Sequence, residues 1–429
     1  MAKPKPVPAA PAPVALPYQS AGLPTASQVR GFYAGWRFSP IWFSGTAAKP
    51  AAGELLNILQ RAPLDGLSPG PQYAAQVQAA LQQANTTRTP EAIAFAEHTL
   101  SEALVLYAQV MDRPASAYIV AYPHLAPKAP TADQVLRTAA GAPSLERYLS
   151  QLANPNSVYT SIRDAAWKQM QASGSTAVDP RIVANLDRAR IFPSTGRFVV
   201  VDAATQRLFL FENGAPVDSM KVVVGNAKKP MELPTPMIAS MMYYVVHNPY
   251  WNVPHHLVRK MAPNLKQASY RKAKGYEIMS DWTANATPID PSTVDWKAVQ
   301  EGKLQVRVRQ KPNDDDNSMG DLKFPFNNPE GIFLHDTPKR EYFQYTSRDL
   351  SNGCVRLEDA RRFARWLLRR EPVEPNDGAE QFEQMAQGVP VYTTYLTAQV
   401  TDGQLAFVKD IYGWDPAPGA GGTQVAVGR

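Results

Sequence analysis

Cysteine is almost absent: the 429-residue chain has one, Cys354. A lone thiol closes no internal disulfide and builds no thiolate cage for a metal. Long apolar runs are also missing. None approaches the roughly 18 residues that a membrane-spanning helix needs, so no integral membrane segment is expected. There is no dense Lys/Arg block with interleaved aromatics, no zinc-finger spacing and no RNA-binding signature, which sets nucleic acid aside as a partner. No internal repeat is present. The chain does have a 44% hydrophobic fraction, enough for two or three domains with real cores, and a formal charge of +6. That mild basicity suits an anionic polymer or surface. Arg361, Arg362, Arg365, Arg369 and Arg370 cluster, but on a helix with Phe363, Trp366 and Leu367, so they read as a solvated face.

Character changes along the chain. Residues 1–27 are Pro/Ala-rich, with no apolar signal core at the start, and read as an extended linker or tail. Residues 28–194 read as mostly helical. Ile93, Phe95, Ala96, Leu100, Leu104 and Tyr107 recur at near-helical spacing. Ser144 opens a shorter helix, and Asp179-Pro180 is a cap followed by proline at the first helical position. Trp36, Trp42 and Trp167 read as core or domain-contact residues. From residue 195 to 415 the pattern is β-rich. Val-rich residues 197–202, apolar 207–211 and 217–224 predict a three-strand meander turning at Asn213-Gly214. Further strands are expected at 241–247, 304–309 and 331–335, with a closing hairpin of 389–400 and 404–408 across Asp402-Gly403. Residues 254–294 read as a helix- and loop-rich insertion long enough to form a lid. Residues 416–429 read as a flexible Gly/Ala tail.

The chemistry concentrates in two short strings. His335-Asp336-Thr337 ends a buried strand, and Ser351-Asn352-Gly353-Cys354-Val355-Arg356 follows, with Cys354 nineteen positions after His335. A cysteine with a placed histidine is the minimal apparatus for acyl transfer. A helix predicted to begin near Leu357 puts the thiol at a helix N-terminus, where the dipole favours thiolate. Backbone N–H groups around Asn352 and Gly353 are candidates for an oxyanion hole. Asp336, or a nearby carbonyl, is the candidate for orienting His335. Arg356 can hold a carboxylate bidentately. Taken singly, Cys354 reads more often as a buried small hydrophobe than as a nucleophile.

The two strings together resemble the active-site motif of the L,D-transpeptidases (YkuD-like domain), in which His-x-Thr precedes Ser-x-Gly-Cys-x-Arg. Other pieces resemble the large, two-part members of that family. These are Asn248-Pro249-Tyr250-Trp251-Asn252-Val253-Pro254, Val222-Val223-Val224-Gly225, the approach through Asn317, Gly320 and Lys323-Phe324, and the C-terminal Asp410-Ile411-Tyr412-Gly413. Phe32-Tyr33 to Trp42 resembles their helical scaffold. The resemblance implies an α+β fold: a helical N-terminal scaffold domain and a β-rich catalytic domain with a lid insertion. It implies Cys354 as nucleophile and His335 as base. Ser351, Thr337, Arg356, Trp251 and Asn252 are implied to contact substrate. No metal and no organic cofactor are implied. The partners implied are peptidoglycan donor and acceptor stems and other cell-wall synthesis proteins. The location implied is the periplasm, after removal of a signal peptide absent from this numbering. The reaction implied is ping-pong: a thioester to the third stem residue, loss of the terminal D-amino acid, then aminolysis to a 3–3 or 1–3 cross-link, with carbapenems expected to acylate Cys354. Two departures stand out. Asn352 occupies a position where many members have His, leaving His335 as sole base. The N-terminal part shows no peptidoglycan-binding three-helix repeat.

Other signals carry less. Ser269-x-x-Lys272 lacks any Lys-Thr-Gly partner. Asp314-Asp315-Asp316 lacks EF-hand spacing and reads as a solvated loop. Adjacent His255 and His256 diverge and suit a metal poorly. A papain-like order would put Cys before His, the reverse of this chain. The readings that compete with a transpeptidase are an L,D-carboxypeptidase that uses water as acceptor and a non-catalytic wall-binding protein.

Overall fold

The computed structural model describes residues 18–36, 39–227, 233–312, 317–374 and 380–417. The Asp314–Asp316 run, residues 1–17 and the tail from 418 lie outside the described residues. The N-terminal half is helical: α1 (Ala26–Gly35), α2 (Ala51–Arg61), α3 (Gly70–Thr87), α4 (Pro90–Met111), α5 (Ala132–Gly141), α6 (Leu145–Ala153), α7 (Ser157–Ser173) and α8 (Pro180–Ala189). Caps explain several starts. The Thr89, Ser144 and Asn156 side chains each accept a first-turn N–H, and Asp179 does so ahead of Pro180. A small hairpin, β1 (Phe43–Ser44) and β2 (Ala47–Ala48), precedes α2, and β3 (Ile119–Val120) follows α4.

Helix α4 is buried nearly all round from Ala96 to Met111, so it forms the axis of the bundle. It carries two buried carboxylates. Glu97 accepts from Ile41 N at 2.6 Å, Trp42 N at 3.0 Å and Tyr33 Oη at 2.9 Å. Glu102 accepts from Leu23 N at 3.0 Å and from the hydroxyls of Tyr18 and Ser20. Residues 18–25 are therefore fastened to the bundle rather than being free linker. Composition suggested otherwise because the anchor is a carboxylate eighty residues away.

The second half builds one large sheet. Its strands are β4 (Arg197–Asp202), β5 (Arg207–Glu212), β6 (Ala215–Gly225), β7 (Ile238–His247), β11 (Leu322–Pro325), β12 (Phe333–His335), β14 (Val355–Leu357) and β15 (Gln381–Thr394), with β13 (Asp349–Ser351) beside β6. The meander turns at Asn213 (φ 51°) and Gly214 (φ 81°), the positive pair a tight hairpin requires. The path runs β11-β12-β14-β6-β5-β4-β15-β7, and β11 pairs again with β7. That second pairing closes the strands into a ring and leaves no open edge there. One core gathers Val199, Leu208, Val222, Phe324, Leu334, Val355 and Val391 with Phe363 of α12 (Ala360–Leu368).

The helical half covers the other side of β4, β5 and β15. Phe198 stacks on Phe211 at 4.6 Å, and Tyr392 meets Phe192 at 5.4 Å. β3 adds a parallel strand to β7, and Arg188 donates to Tyr395 O at 3.0 Å and pairs with Asp415 at 2.7 Å. The closing hairpin differs from expectation. Residues 389–394 are the end of β15, held centrally between β4 and β7. The hairpin proper is β16 (Ala398–Thr401) with β17 (Gln404–Phe407). Asn185 of α8 bonds Thr397 and Ala398, fixing the break between the two.

The insertion has its own three-stranded sheet, β8 (Trp251–Asn252), β10 (Arg307–Gln310) and β9 (Tyr276–Met279), with α9 (His255–Leu265), α10 (Ala268–Ala273) and α11 (Trp296–Glu301). Val253, Val258, Leu265, Ile278, Trp296 and Val308 form its separate core. The strand expected at 304–309 begins at Arg307 and belongs to this unit, because its apolar alternation serves the insertion's core. Among the described residues, no helix is long and apolar enough to cross a membrane, and no group of acidic, His or Cys side chains is arranged to hold a metal ion.

Candidate active site

Three short strands position the reactive groups. β12 and β14 run parallel, with Leu334 beside Val355 and His335 beside Arg356. β11 runs antiparallel to β12 and sets Lys323 beside His335. Side chains alternate across a strand. Leu334, Val355 and Phe324 enter the core, so Lys323, His335 and Arg356 form a row on the opposite face. Burying each of those core side chains contributes ~1.5–3 kcal/mol, and a one-residue slip would reverse both faces. Cys354 immediately precedes β14. Gly353 has φ 108°, and a Cβ there would sit 3.0 Å from Ile332 Cδ1, so glycine is required. Thr235 bolts the loop down: its Oγ1 donates to Gly353 O at 2.7 Å and accepts from Gly225 N at 2.9 Å. Tyr412 Oη donates to Gly225 O at 2.8 Å.

The Cys354 thiol is half-buried and faces Gly331 O at 3.9 Å. Burial pushes it up to about 11, opposed by an N–H bond from Phe333 and by the charges of Lys323 and Arg356. His335 is buried, and its Nδ1 lies 2.5 Å from Asp336 O. A carbonyl only accepts, so Nδ1 carries the proton and Nε2 the lone pair in the neutral ring. Burial, then Arg356, holds this histidine down to about 3, with Lys323 adding to the effect. The resting site at neutral pH is thus thiol plus neutral imidazole. The expected helix-dipole activation is absent: β14 intervenes, and α12 starts only at Ala360, capped by Asp359.

Residues 196–374 match the family model of the L,D-transpeptidase catalytic domain, and residues 27–165 match that of the Scaffold domain. This chain carries an L,D-transpeptidase catalytic domain behind a scaffold domain. A Haemophilus influenzae protein named as a candidate L,D-transpeptidase is 26% identical over 406 residues, covering 89% of this chain and 77% of that protein. Among solved structures, the Ldtfm–avibactam carbamoyl enzyme is 12% identical with a TM-score of 0.22, covering 48% of this chain and 50% of that one. An L,D-transpeptidase from Xylanimonas cellulosilytica is 17% identical with a TM-score of 0.19, covering 54% and 78%. Scores that low carry no argument.

Within this transpeptidase domain the other sequence candidates fall in different places. Gly353 N donates to Ser351 Oγ at 3.2 Å, and Ser351 Oγ donates to Cys354 O at 2.6 Å. That N–H is therefore occupied, and Ser351 shapes the turn. Asn352 is half-buried in the same turn. The Asp336 side chain leaves the imidazole: one oxygen pairs with Arg340 at 2.7 Å and the other accepts from Asp321 N at 3.2 Å. The orienting role at His335 passes to the Asp336 carbonyl. Thr337 is buried, and its Oγ1 accepts from Lys339 N at 3.2 Å. Trp251 and Asn252 lie in the insertion, Asn252 accepting from Arg307 Nε at 3.2 Å. Arg356 lies 5.4 Å from the Tyr342 ring centroid, with its Nε buried and unbonded. Sequence reasoning named Lys323 only as part of the approach to the catalytic strand, without a site role, and did not single out Phe333. The strand alternation Lys323-Phe324-Pro325 was the available signal.

Proposed function

We propose that this chain is a peptidoglycan L,D-transpeptidase using Cys354 as nucleophile and His335 as base, working in the periplasm. The single observation that carries the reading is the strand register that sets His335 beside Arg356, two residues from Cys354. As the sulfur attacks the carbonyl of the third, L-centred stem residue, its proton passes to the imidazole lone pair. The tetrahedral adduct collapses, the C–N bond breaks, and the imidazolium returns that proton to the departing D-amino acid's amine. A thioester remains. An amine from a second stem attacks it, giving up a proton to His335, and the thiol is released with a 3–3 or 1–3 cross-link formed. Phe333 N–H is aimed at the sulfur and supports the thiolate as it develops. Carbapenems acylate the same thiol.

The test is incubation with purified disaccharide-tetrapeptides and mass analysis of products. Cross-linked dimers with release of the terminal residue support the reading, and fragmentation gives the linkage. Tripeptide monomer alone replaces it with an L,D-carboxypeptidase. Neither product leaves a wall-binding protein.

A further inference from the structure

We propose that Lys323 is a substrate-binding residue that recognises the α-carboxylate of the departing terminal D-amino acid; this rests on the transpeptidase reading above. Lys323 stands in the same row as His335 and Arg356. Its Nζ lies 4.3 Å from the centroid of the Phe333 ring, and the Phe333 N–H bonds the Cys354 sulfur. The ammonium is thus delivered to the immediate surroundings of the nucleophile.

Among the described residues Lys323, like Arg356 in the same row, lacks a counter-ion. Other cations of the domain are paired: Arg340 with Asp336, Arg361 with Glu374, Arg362 with Asp218 and Arg370 with Glu383. Among the described residues, Lys323 has no carboxylate within ion-pair distance. Glu380 acts on it only through space and spends an oxygen on Tyr250 N at 3.1 Å. The charged and titratable groups around it are His335 on β12, Arg356 and Cys354 at β14, and Glu380 ahead of β15. A desolvated cation without a partner is unfavourable for folding. Burial accordingly holds Lys323 below the usual lysine range.

The proposed substrate supplies the missing charge. A terminal residue carries a free carboxylate, two bonds from the scissile nitrogen. A cation beside the nucleophile therefore meets that carboxylate once the scissile carbonyl reaches the sulfur. An internal peptide bond offers none, so Lys323 would select the last residue of the stem. A charge-assisted hydrogen bond of this kind is worth roughly 10- to 100-fold in rate.

The experiment compares two donors in full-length protein: a disaccharide-tetrapeptide with its free terminal carboxylate, and the same stem ending in a carboxamide. The rate of Cys354 thioester formation is read by quenched intact mass for wild type, Lys323→Met and Lys323→Arg. Wild type is expected to prefer the acid by roughly 10- to 100-fold. In Lys323→Met that ratio collapses toward one, and Lys323→Arg restores most of it. A purely structural or thiol-tuning role slows both donors alike and keeps the ratio, which overturns the proposal. So does a wild type without preference. No thioester from either donor, while iodoacetamide still labels Cys354, sinks the transpeptidase reading itself and this assignment with it.

Discussion

Two regions of this molecule bury charge and treat it differently. On α4, Glu97 and Glu102 are buried but saturated with donors from α1, the β1 approach and residues 18–25. On the β11–β12–β14 face, Lys323 and Arg356 are partly buried and, among the described residues, have no carboxylate partner. A satisfied buried carboxylate organises a fold; removing it leaves its donors orphaned. An uncompensated buried cation costs stability and persists where it meets an anion during function. The scaffold half uses its buried charge for structure, and on the proposal above the catalytic half keeps its own for a ligand.

The comparison breaks most sharply at the nucleophile. Cys354→Ala is expected to abolish thioester and product while the melting temperature stays near wild type. His335→Gln is expected to slow acylation by roughly 10²–10⁴-fold; a variant acylated at the wild-type rate would remove His335 from the mechanism. The next effect lies in the scaffold. Glu102→Ala strands Leu23 N and two hydroxyls and is expected to cost roughly 1–3 kcal/mol, read as a lower denaturation midpoint, with iodoacetamide labelling of Cys354 unaltered. Lys323→Met should hold or raise that midpoint. A loss as large as that of Glu102→Ala would show that Lys323 is a satisfied structural charge after all. The smallest effect is in pH. Because burial raises the Cys354 pKa, to about 11, the thiolate fraction is small at neutrality and grows with pH. Alkylation by iodoacetamide should still be climbing above pH 9; a plateau by pH 8 would point to an ion pair with His335 instead.

Much of this was legible in the sequence where local rules decide. Asn213-Gly214 needs two positive φ values, Asp179-Pro180 needs a cap, and β4 to β6 follow from Val-rich and apolar runs around that turn. The adjacency of the Cys354 and His335 segments was legible because two short motifs carry it. What failed depended on distant partners. Residues 18–25 dock through Glu102, and residues 389–400 split because Asn185 holds the chain at Thr397. The helix placed after Cys354 is displaced by three strand residues, since Val355 and Leu357 are needed in the core. Lys323 was given no site role because its meaning lies in the register with His335, which no local pattern fixes.

The most direct measurement is peptide mapping of protein quenched in acid during turnover with a disaccharide-tetrapeptide. The account predicts an acyl adduct lacking the terminal residue, borne on the peptide containing Cys354 and absent from Cys354→Ala. Product formation with the adduct elsewhere, or with none on Cys354, would contradict it.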